Sequence, residues 1–389
     1  MVNFEYSHPT QVYFGRGEEK KVGEKIAAYG KKVLLVYGGG SIKRSGLYDT
    51  VVASLKEAGV AFEELGGVQP NPRLSLVYKG LELVKENGLE AILAVGGGSA
   101  IDTAKAIGVG AKYDGDVWDF YCGKASPKET LPVGCVLTIA AAGSETSNSS
   151  VITNEDGMWK RGLGSEVIRP AFAIMNPELT YTLPAYQTAC GICDIMMHIL
   201  ERYFTNEQDV DLTDRLCEGA LVSIIRNAPI VLEDPENYAA RAEIMWAGSL
   251  AHDGLMGTGR VGDFASHQLG HELSAKFDVA HGASLSVVFP AWMRYCLDKN
   301  PDRFVKFAHR VMAVPVDFDD PMGTAINGIY ALENFWADLG LPIRLEDLGI
   351  GEEAIAELAA KCKKGPAGTT GNYVPLDEEA IAQVYRLAL

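Results

Sequence analysis

Val33-Leu34-Leu35-Val36-Tyr37 runs directly into Gly38-Gly39-Gly40-Ser41, and Ile92-Leu93-Ala94-Val95 runs into Gly96-Gly97-Gly98-Ser99. Each is a short apolar run, the pattern of a strand buried on both faces, ending in a glycine loop that opens a helix. Residues 20–29, 47–58, 75–87 and 100–107 read as helices between them, and residues 61–65 and 133–138 as further strands. Such alternation predicts a parallel sheet covered by helices, a Rossmann-like α/β domain. Residues 4–14 read as a hairpin turning at Ser7-His8-Pro9, with an open sheet edge.

Past Thr182-Leu183-Pro184 the texture changes to long amphipathic segments at 186–204, 212–232, 238–256 and 303–311. The proline and the switch to helical periodicity place a boundary there. The expected organisation is an α/β dinucleotide-binding domain over 1–184 and an all-helical domain over 185–389.

A chain of 389 residues with 47% hydrophobic and 22% charged residues has an ordinary globular composition. Its net charge of −16 argues against nucleic acid or anionic membrane as a partner and favours small diffusing substrates. No signal-like opening or membrane-length apolar run is visible, so a cytoplasmic protein is expected. Its seven cysteines follow no small-scaffold pattern and are expected to be reduced thiols. Cys190-Gly191-Ile192-Cys193 lacks the second cysteine pair of a four-thiolate site and the strand-to-helix setting of a redox motif. Ser144-Glu145 lacks the elbow of a serine hydrolase.

Glycine lets a backbone approach an anion without a Cβ clash, and the first amides of a helix supply donors. Gly38, Gly39, Gly40 and Ser41 form one candidate pyrophosphate loop; Gly97, Gly98 and Ser99, with Asp102 a turn later, form a stronger one. Tight strand-to-helix turns are the alternative. Neither loop matches G-x-G-x-x-G, and no acidic residue directly follows Tyr37 to receive a ribose. Ser41, Lys43 and Arg44 instead offer a hydroxyl and cations suited to a 2′-phosphate, which favours NADP over NAD; a solvated turn surface is the other reading. In the small-residue loop after the strand at 133–138, Thr138 and Ser147 are candidate cofactor hydroxyls, and Lys160 a nearby charge.

Asp194 and His198 stand four apart in a helical segment and so share one face. With His267 and His281 they make a carboxylate and three imidazoles, a donor set suited to Fe(II) or Zn(II). A surface pair or helix contact is the alternative for Asp194 and His198. His271 follows His267 by one turn, and His252 reads as structural.

The ordered combination of Tyr37-Gly38-Gly39-Gly40-Ser41-Ile42-Lys43, Gly96-Gly97-Gly98-Ser99-Ala100-Ile101-Asp102, Gly143-Ser144-Glu145, Asp194-Ile195-Met196-Met197-His198 and His271-Glu272-Leu273-Ser274-Ala275 spans nearly the whole chain. It resembles the iron-containing alcohol dehydrogenase family, especially its NAD(P)H-dependent butanol dehydrogenase branch. The resemblance implies a dinucleotide-binding domain followed by a helical metal domain, with Asp194, His198, His267 and His281 as ligands and His271 near the nicotinamide and substrate. It also implies a homodimer acting on a small alcohol or aldehyde. Gly38 occupies a position where NAD-preferring relatives often have aspartate, which permits NADP. Gln268-Leu269-Gly270, Cys190, Cys193 and Ala142 depart from the family's usual residues and bear on substrate choice. A carbon–oxygen lyase resembling dehydroquinate synthase shares the broad architecture, but it needs a basic cluster that is sparse around these motifs.

Overall fold

The computed structural model describes all 389 residues. They divide into two compact units, Ser7–Leu183 and Met1–Tyr6 with Pro184–Leu389.

The first unit contains β1 (Gln11–Phe14), α1 (Val22–Ala27), β2 (Lys32–Tyr37), α2 (Ser41–Arg44), α3 (Leu47–Glu57), β3 (Ala61–Leu65) and α4 (Leu74–Asn87). It continues through β4 (Ala91–Gly96), α5 (Gly98–Gly110), α6 (Trp118–Tyr121), β5 (Val133–Leu137), β6 (Ser149–Asn154), β7 (Trp159–Gly164) and β8 (Phe172–Met175). Six strands pair in parallel in the order β1-β8-β5-β4-β2-β3. Burial follows that order. All of β4, β5 and β8 is buried, as is β2 after Lys32, whereas the edge strands β1 and β3 are largely open. The Val, Ile and Leu side chains of the inner strands supply the core, each worth about 1.5–3 kcal/mol when fully removed from water.

The hairpin expected over residues 4–14 does not form. Only Gln11–Phe14 is a strand, and it pairs in parallel with β8, Gln11 opposite Phe172. Residues 1–6 belong to the helical unit, where Val2 N donates to Gly259 O at 2.9 Å and Tyr6 Oη donates to Asp253 at 3.2 Å. Their hydrogen bonds are found there rather than beside β1. A hairpin does occur at β6 and β7, turning through Asp156-Gly157, with Gly157 at φ 82°.

The second unit is built from α7 (Ala185–Tyr203), α8 (Asp211–Glu233), α9 (Tyr238–His252), α10 (Ala265–Phe277), α11 (His281–Cys296), α12 (Pro301–Arg310), α13 (Pro321–Asp338), α14 (Ile355–Lys361) and α15 (Glu378–Leu387). Every residue of α7 from Thr188 to Tyr203 is buried, so this helix is a central post rather than an amphipathic surface helix. At its C-terminal end Phe204 packs among Phe289, Trp292, Phe304, Phe307 and Tyr373, with ring centroids 4.8–6.1 Å away. No helix is long and apolar enough to cross a membrane.

Candidate metal centre and nucleotide loops

In the first unit, β2 and β4 are neighbours whose onward connections diverge, one toward β3 and the other toward β5. Open parallel sheets bind ligands at such a switch point, beyond the carboxyl ends of the strands. The register aligns those ends: Tyr37 lies opposite Val95, and Gly96 opposite Leu137. Gly38, Gly97 and Thr138 therefore leave the sheet side by side, and Thr138 N donates to Gly96 O at 3.0 Å. Gly40 has φ 110°, a conformation that side chains resist, which explains glycine before α2. α5 begins with no side-chain cap at Gly97, leaving the first amides, at Gly98 and Ser99, available to an anion.

The remaining candidate nucleotide residues divide into accessible and committed groups. Gly39, Ser41 and Lys43 are exposed. Lys43 lies 3.6 Å from Glu64 and over the rings of Tyr37 and Tyr48. Asp102 is half-buried, accepting from Ser144 Oγ at 2.6 Å and Val151 N at 2.9 Å. Burial pushes its carboxyl up against the pull of the Lys105 ammonium. Ser147 is fully buried, and both its hydroxyl and its carbonyl receive Lys105 Nζ, at 3.3 and 3.0 Å. Lys160 is also interior, its ammonium held 2.9 Å from Asn71 Oδ1. Beside the first loop, where Gly67 N donates to Gly38 O at 3.2 Å, a cavity of about 460 Å³ is bordered by Gly67, Gln69, Arg73 and Lys79. Arg73 and Lys79 sit on and beside an ordinary helix start, and nothing in their spacing marks them.

In the helical unit, α7 brings Asp194 and His198 to one face, α10 contributes His267 and His271, and α11 begins with His281. His198 Nε2, His267 Nε2 and His281 Nε2 lie 3.5, 3.6 and 3.9 Å from the same Asp194 Oδ1. Donors bound about 2.1 Å from one tetrahedral ion stand roughly 3.4 Å apart. The His198 and His267 spacings match that figure closely and that of His281 is wider; Asp194, His267 and His281 are the three whose ligand atoms all lie within 4.8 Å of one another, while His198 joins them through Asp194. Asp194 and His267 are buried, and Asp194 Oδ1 and His267 Nε2 have no hydrogen-bond partner. Leaving such atoms buried and unsatisfied costs about 1–3 kcal/mol each, which a bound cation removes. The nitrogen and carboxylate donor set fits Fe(II) or Zn(II).

Close backbone packing fixes this cluster. A Cβ on Gly282 would fall 2.0 Å from the Cys190 carbonyl oxygen, so α11 can cross α7 this closely only with glycine after His281. Burial and the neighbouring histidines drive His198 well below the ordinary imidazole range. Burial opposes protonation of His267 too, but Glu201 and Asp194 outweigh it and raise that imidazole to about 9 in the metal-free protein, so a cation that binds Nε2 displaces the proton held there. Glu201, fully buried on α7, contacts His267 Nδ1 and accepts the Ser266 amide at 2.7 Å. The sequence reading missed Glu201, although it lies three residues beyond His198 and seven beyond Asp194 and so continues their helical stripe. His271 is buried with its ring centroid 5.3 Å from that of His281, and His252 stacks on His198 at 4.0 Å.

An α/β unit with glycine loops at its switch point, joined in one chain to a helical unit with a carboxylate–histidine centre, defines a class of metal-dependent dinucleotide enzymes. Residues 9–177 match the iron-containing alcohol dehydrogenase family, and residues 188–389 match the C-terminal region of the Fe-containing alcohol dehydrogenase family. The chain is 45% identical over 392 residues to probable NADH-dependent butanol dehydrogenase 2 of Bacillus subtilis (strain 168), covering 100% of both chains. It is 35% identical over 391 residues to the NADPH-dependent aldehyde reductase of Escherichia coli (strain K12), again covering 100% of both. The crystal structure of NADH-dependent butanol dehydrogenase A from Thermotoga maritima matches with a TM-score of 0.96 at 40% identity, covering 100% of this chain and 99% of that one. The chain belongs to the iron-containing alcohol dehydrogenase family.

Proposed function

We propose that the protein is an alcohol dehydrogenase and aldehyde reductase that interconverts small aliphatic aldehydes such as butanal with their primary alcohols. The observation that carries this reading is the set of three imidazoles converging within 3.9 Å of one buried carboxylate oxygen. A divalent ion there, Fe(II) in preference to Zn(II), supplies a Lewis acid for the carbonyl oxygen, and NAD(P)H supplies the hydride. Asp194, His198, His267 and His281 hold the ion. Gly38, Gly39, Gly40, Gly97, Gly98 and Ser99 admit the pyrophosphate, Thr138 lies beside the end of β4, and Asp102 acts from α5 by holding Ser144 and Val151. Ser147 and Lys160 act from the interior, by holding the loop and strand on which they lie. His271, one turn after His267, exchanges the proton of the alcohol oxygen with solvent.

NADPH is the preferred nucleotide in this reading, because the glycines after β2 present no carboxylate and Ser41 and Lys43 are exposed beside them. Among the relatives, the butanol dehydrogenases are named for NADH and the aldehyde reductase for NADPH. The open edge of β1 suits pairing with a second copy, giving a homodimer. Seven free cysteines suit a reducing, cytoplasmic setting. The lyase alternative gains no support from relatives that are named dehydrogenases and reductases.

The test is nicotinamide absorbance with butanal, using NADPH and NADH in turn, after separate loading with Fe(II) and Zn(II). Turnover is expected, and His267→Ala should abolish it while nucleotide binding persists. A folded, fully metallated sample inactive toward aldehydes and alcohols with both nucleotides overturns the reading.

A further inference from the structure

One carboxylate beside the metal centre touches both a candidate ligand and the start of the helix that carries it. Glu201 is wholly buried. Its Oε2 contacts His267 Nδ1, while Oε1 accepts the backbone amides of Ser266 at 2.7 Å and His267 at 3.3 Å. Those amides belong to the first turn of α10, whose N-cap residue, Phe264, provides no side-chain cap. Glu201 therefore caps α10 from a different helix and holds the imidazole that α10 presents.

The surrounding chain reinforces the arrangement. Asp263 N donates to Glu201 O at 2.7 Å, and Arg202 packs its guanidinium 4.9 Å from the Phe264 ring while Nη1 donates to His198 O at 2.5 Å. Phe264 itself is left-handed, at φ 61°, an uncommon conformation for a bulky residue. The entry to α10 is thus clamped to α7 through both backbone and side chains.

We infer that Glu201 is a positioning residue for the metal centre: it fixes His267 as the Nδ1–H tautomer and turns the Nε2 lone pair toward Asp194 Oδ1. This rests on the ion site proposed above. An ionised carboxylate is acceptor-only, so the proton in the Glu201–His267 contact lies on Nδ1, and Nε2 is left as the electron-pair donor. His267 Nε2 lies 3.6 Å from Asp194 Oδ1 and has no hydrogen-bond partner, as that assignment requires.

Glu201→Gln separates positioning from simple packing, because glutamine has nearly the same shape. Its amide oxygen must stay on the Ser266 and His267 amides, so its NH₂ faces Nδ1. Nδ1 must then accept, which moves the imidazole proton to Nε2 and blocks coordination. Zn(II) affinity should be measured by chelator competition on the full chain, with parent, Glu201→Gln, Glu201→Asp and Asp194→Ala proteins compared. The expected result is a loss of about 10- to 100-fold for Glu201→Gln, with partial recovery in Glu201→Asp. Unchanged metal-free melting of Glu201→Gln accompanies this result, and Zn(II) binding by Asp194→Ala is weaker still. Parent-like affinity in folded Glu201→Gln overturns the role of Glu201 alone, whereas a parent that takes up no Zn(II) overturns the ion site as well. If Glu201→Gln does not fold, ¹⁵N-histidine spectra of the Zn(II)-loaded parent decide: an Nδ1-bound proton on His267 supports the inference, and an Nε2-bound proton refutes it.

Discussion

Asp194 and Asp214 lie on successive helices of the same unit and are almost equally buried, at 4% and 5% exposure. Asp214 is closed off by cations: Arg303 makes a two-pronged contact at 2.7 and 2.6 Å, and Arg260 reaches Oδ1 at 2.8 Å. Asp194 instead faces three imidazoles at 3.5–3.9 Å, and its Oδ1 has no hydrogen-bond donor. Burial therefore does not distinguish a structural carboxylate from a functional one; completion of its partners does. A carboxylate with its cationic donors in place holds the fold together, whereas one that faces three imidazoles with no donor on its oxygen fits a cation.

The largest effect expected from breaking this contrast is at Asp194. Asp194→Asn keeps the shape but removes the charge that draws an ion among the histidines. Turnover should fall on the order of 10³-fold or more, with loss of bound metal. Melting of the metal-free protein should hold or rise, because a buried charge without donors is removed. Steady-state rates, metal analysis and calorimetry on one preparation check this. Half-parental activity in Asp194→Asn would place the reaction elsewhere.

Arg303→Met should do the reverse. It leaves the Asp214 carboxylate with Arg260 and removes the donor to the Tyr203 carbonyl, 2.8 Å from Arg303 Nε. The expected destabilisation is about 3–5 kcal/mol, a fall in Tm of about 10 °C. The rate per folded molecule should stay near parental. A stable Arg303→Met protein with reduced metal affinity would show that the two carboxylates are coupled rather than distinct.

A third cluster, in the α/β unit, tests whether closure alone makes a network structural. Lys105 is fully buried and donates to Ser144 Oγ at 3.1 Å, Ser147 O at 3.0 Å and Ser149 O at 2.8 Å. Burial depresses the ammonium to about 8, although Asp102 pulls the other way. Between pH 8 and the unfolded value near 10.5 the unfolded chain retains a proton that the folded chain has lost, so this group's contribution to stability rises with pH across that window. Lys105→Met should cost about 2 kcal/mol at pH 7, from lost hydrogen bonds and an isolated Asp102. The gap between parent and variant should widen by on the order of 3 kcal/mol toward pH 10.5. Urea titrations at several pH values measure this, and a constant gap would show that Lys105 does not titrate in the window.

Much of this contrast was legible in the chain. β2 and β4 are uniform apolar runs into glycine, and Asp194 and His198 share a helical face, so local pattern alone brought them forward. Lys105 and Glu201 were not legible, because a charged residue in a helix normally faces water and only tertiary packing encloses it. The N-terminal hairpin was misread for a related reason: residues 1–6 find their partners in the helical unit, and β1 pairs with β8, some 160 positions away, Gln11 lying opposite Phe172. The β6–β7 hairpin had a local signal in Asp156-Gly157, but its strands alternate weakly. Nothing local in the chain marks Gly282; only the crossing with Cys190 shows why no side chain fits there.

The smallest effect belongs to Lys43, which is partly closed and partly open. Its side chain is 48% exposed, and the nearest anion, Glu64 at 3.6 Å, also accepts the hydroxyls of Tyr37 at 2.6 Å and Tyr48 at 2.5 Å. Hydrogen bonds from those two tyrosines hold Glu64 below its ordinary range, so the carboxylate stays charged and competes with a 2′-phosphate for the lysine. Lys43→Ala should raise KM for NADPH by only about three- to five-fold and leave KM for NADH and kcat unchanged, as expected for an exposed, solvent-screened contact. Glu64→Gln should shift preference the opposite way, freeing Lys43 and removing a negative charge from the same end of β2. Opposite changes in the NADPH-to-NADH ratio of kcat/KM would make this exposed pair a specificity element. An unchanged ratio in both variants would make it a closed surface network and remove Lys43 from the nucleotide site.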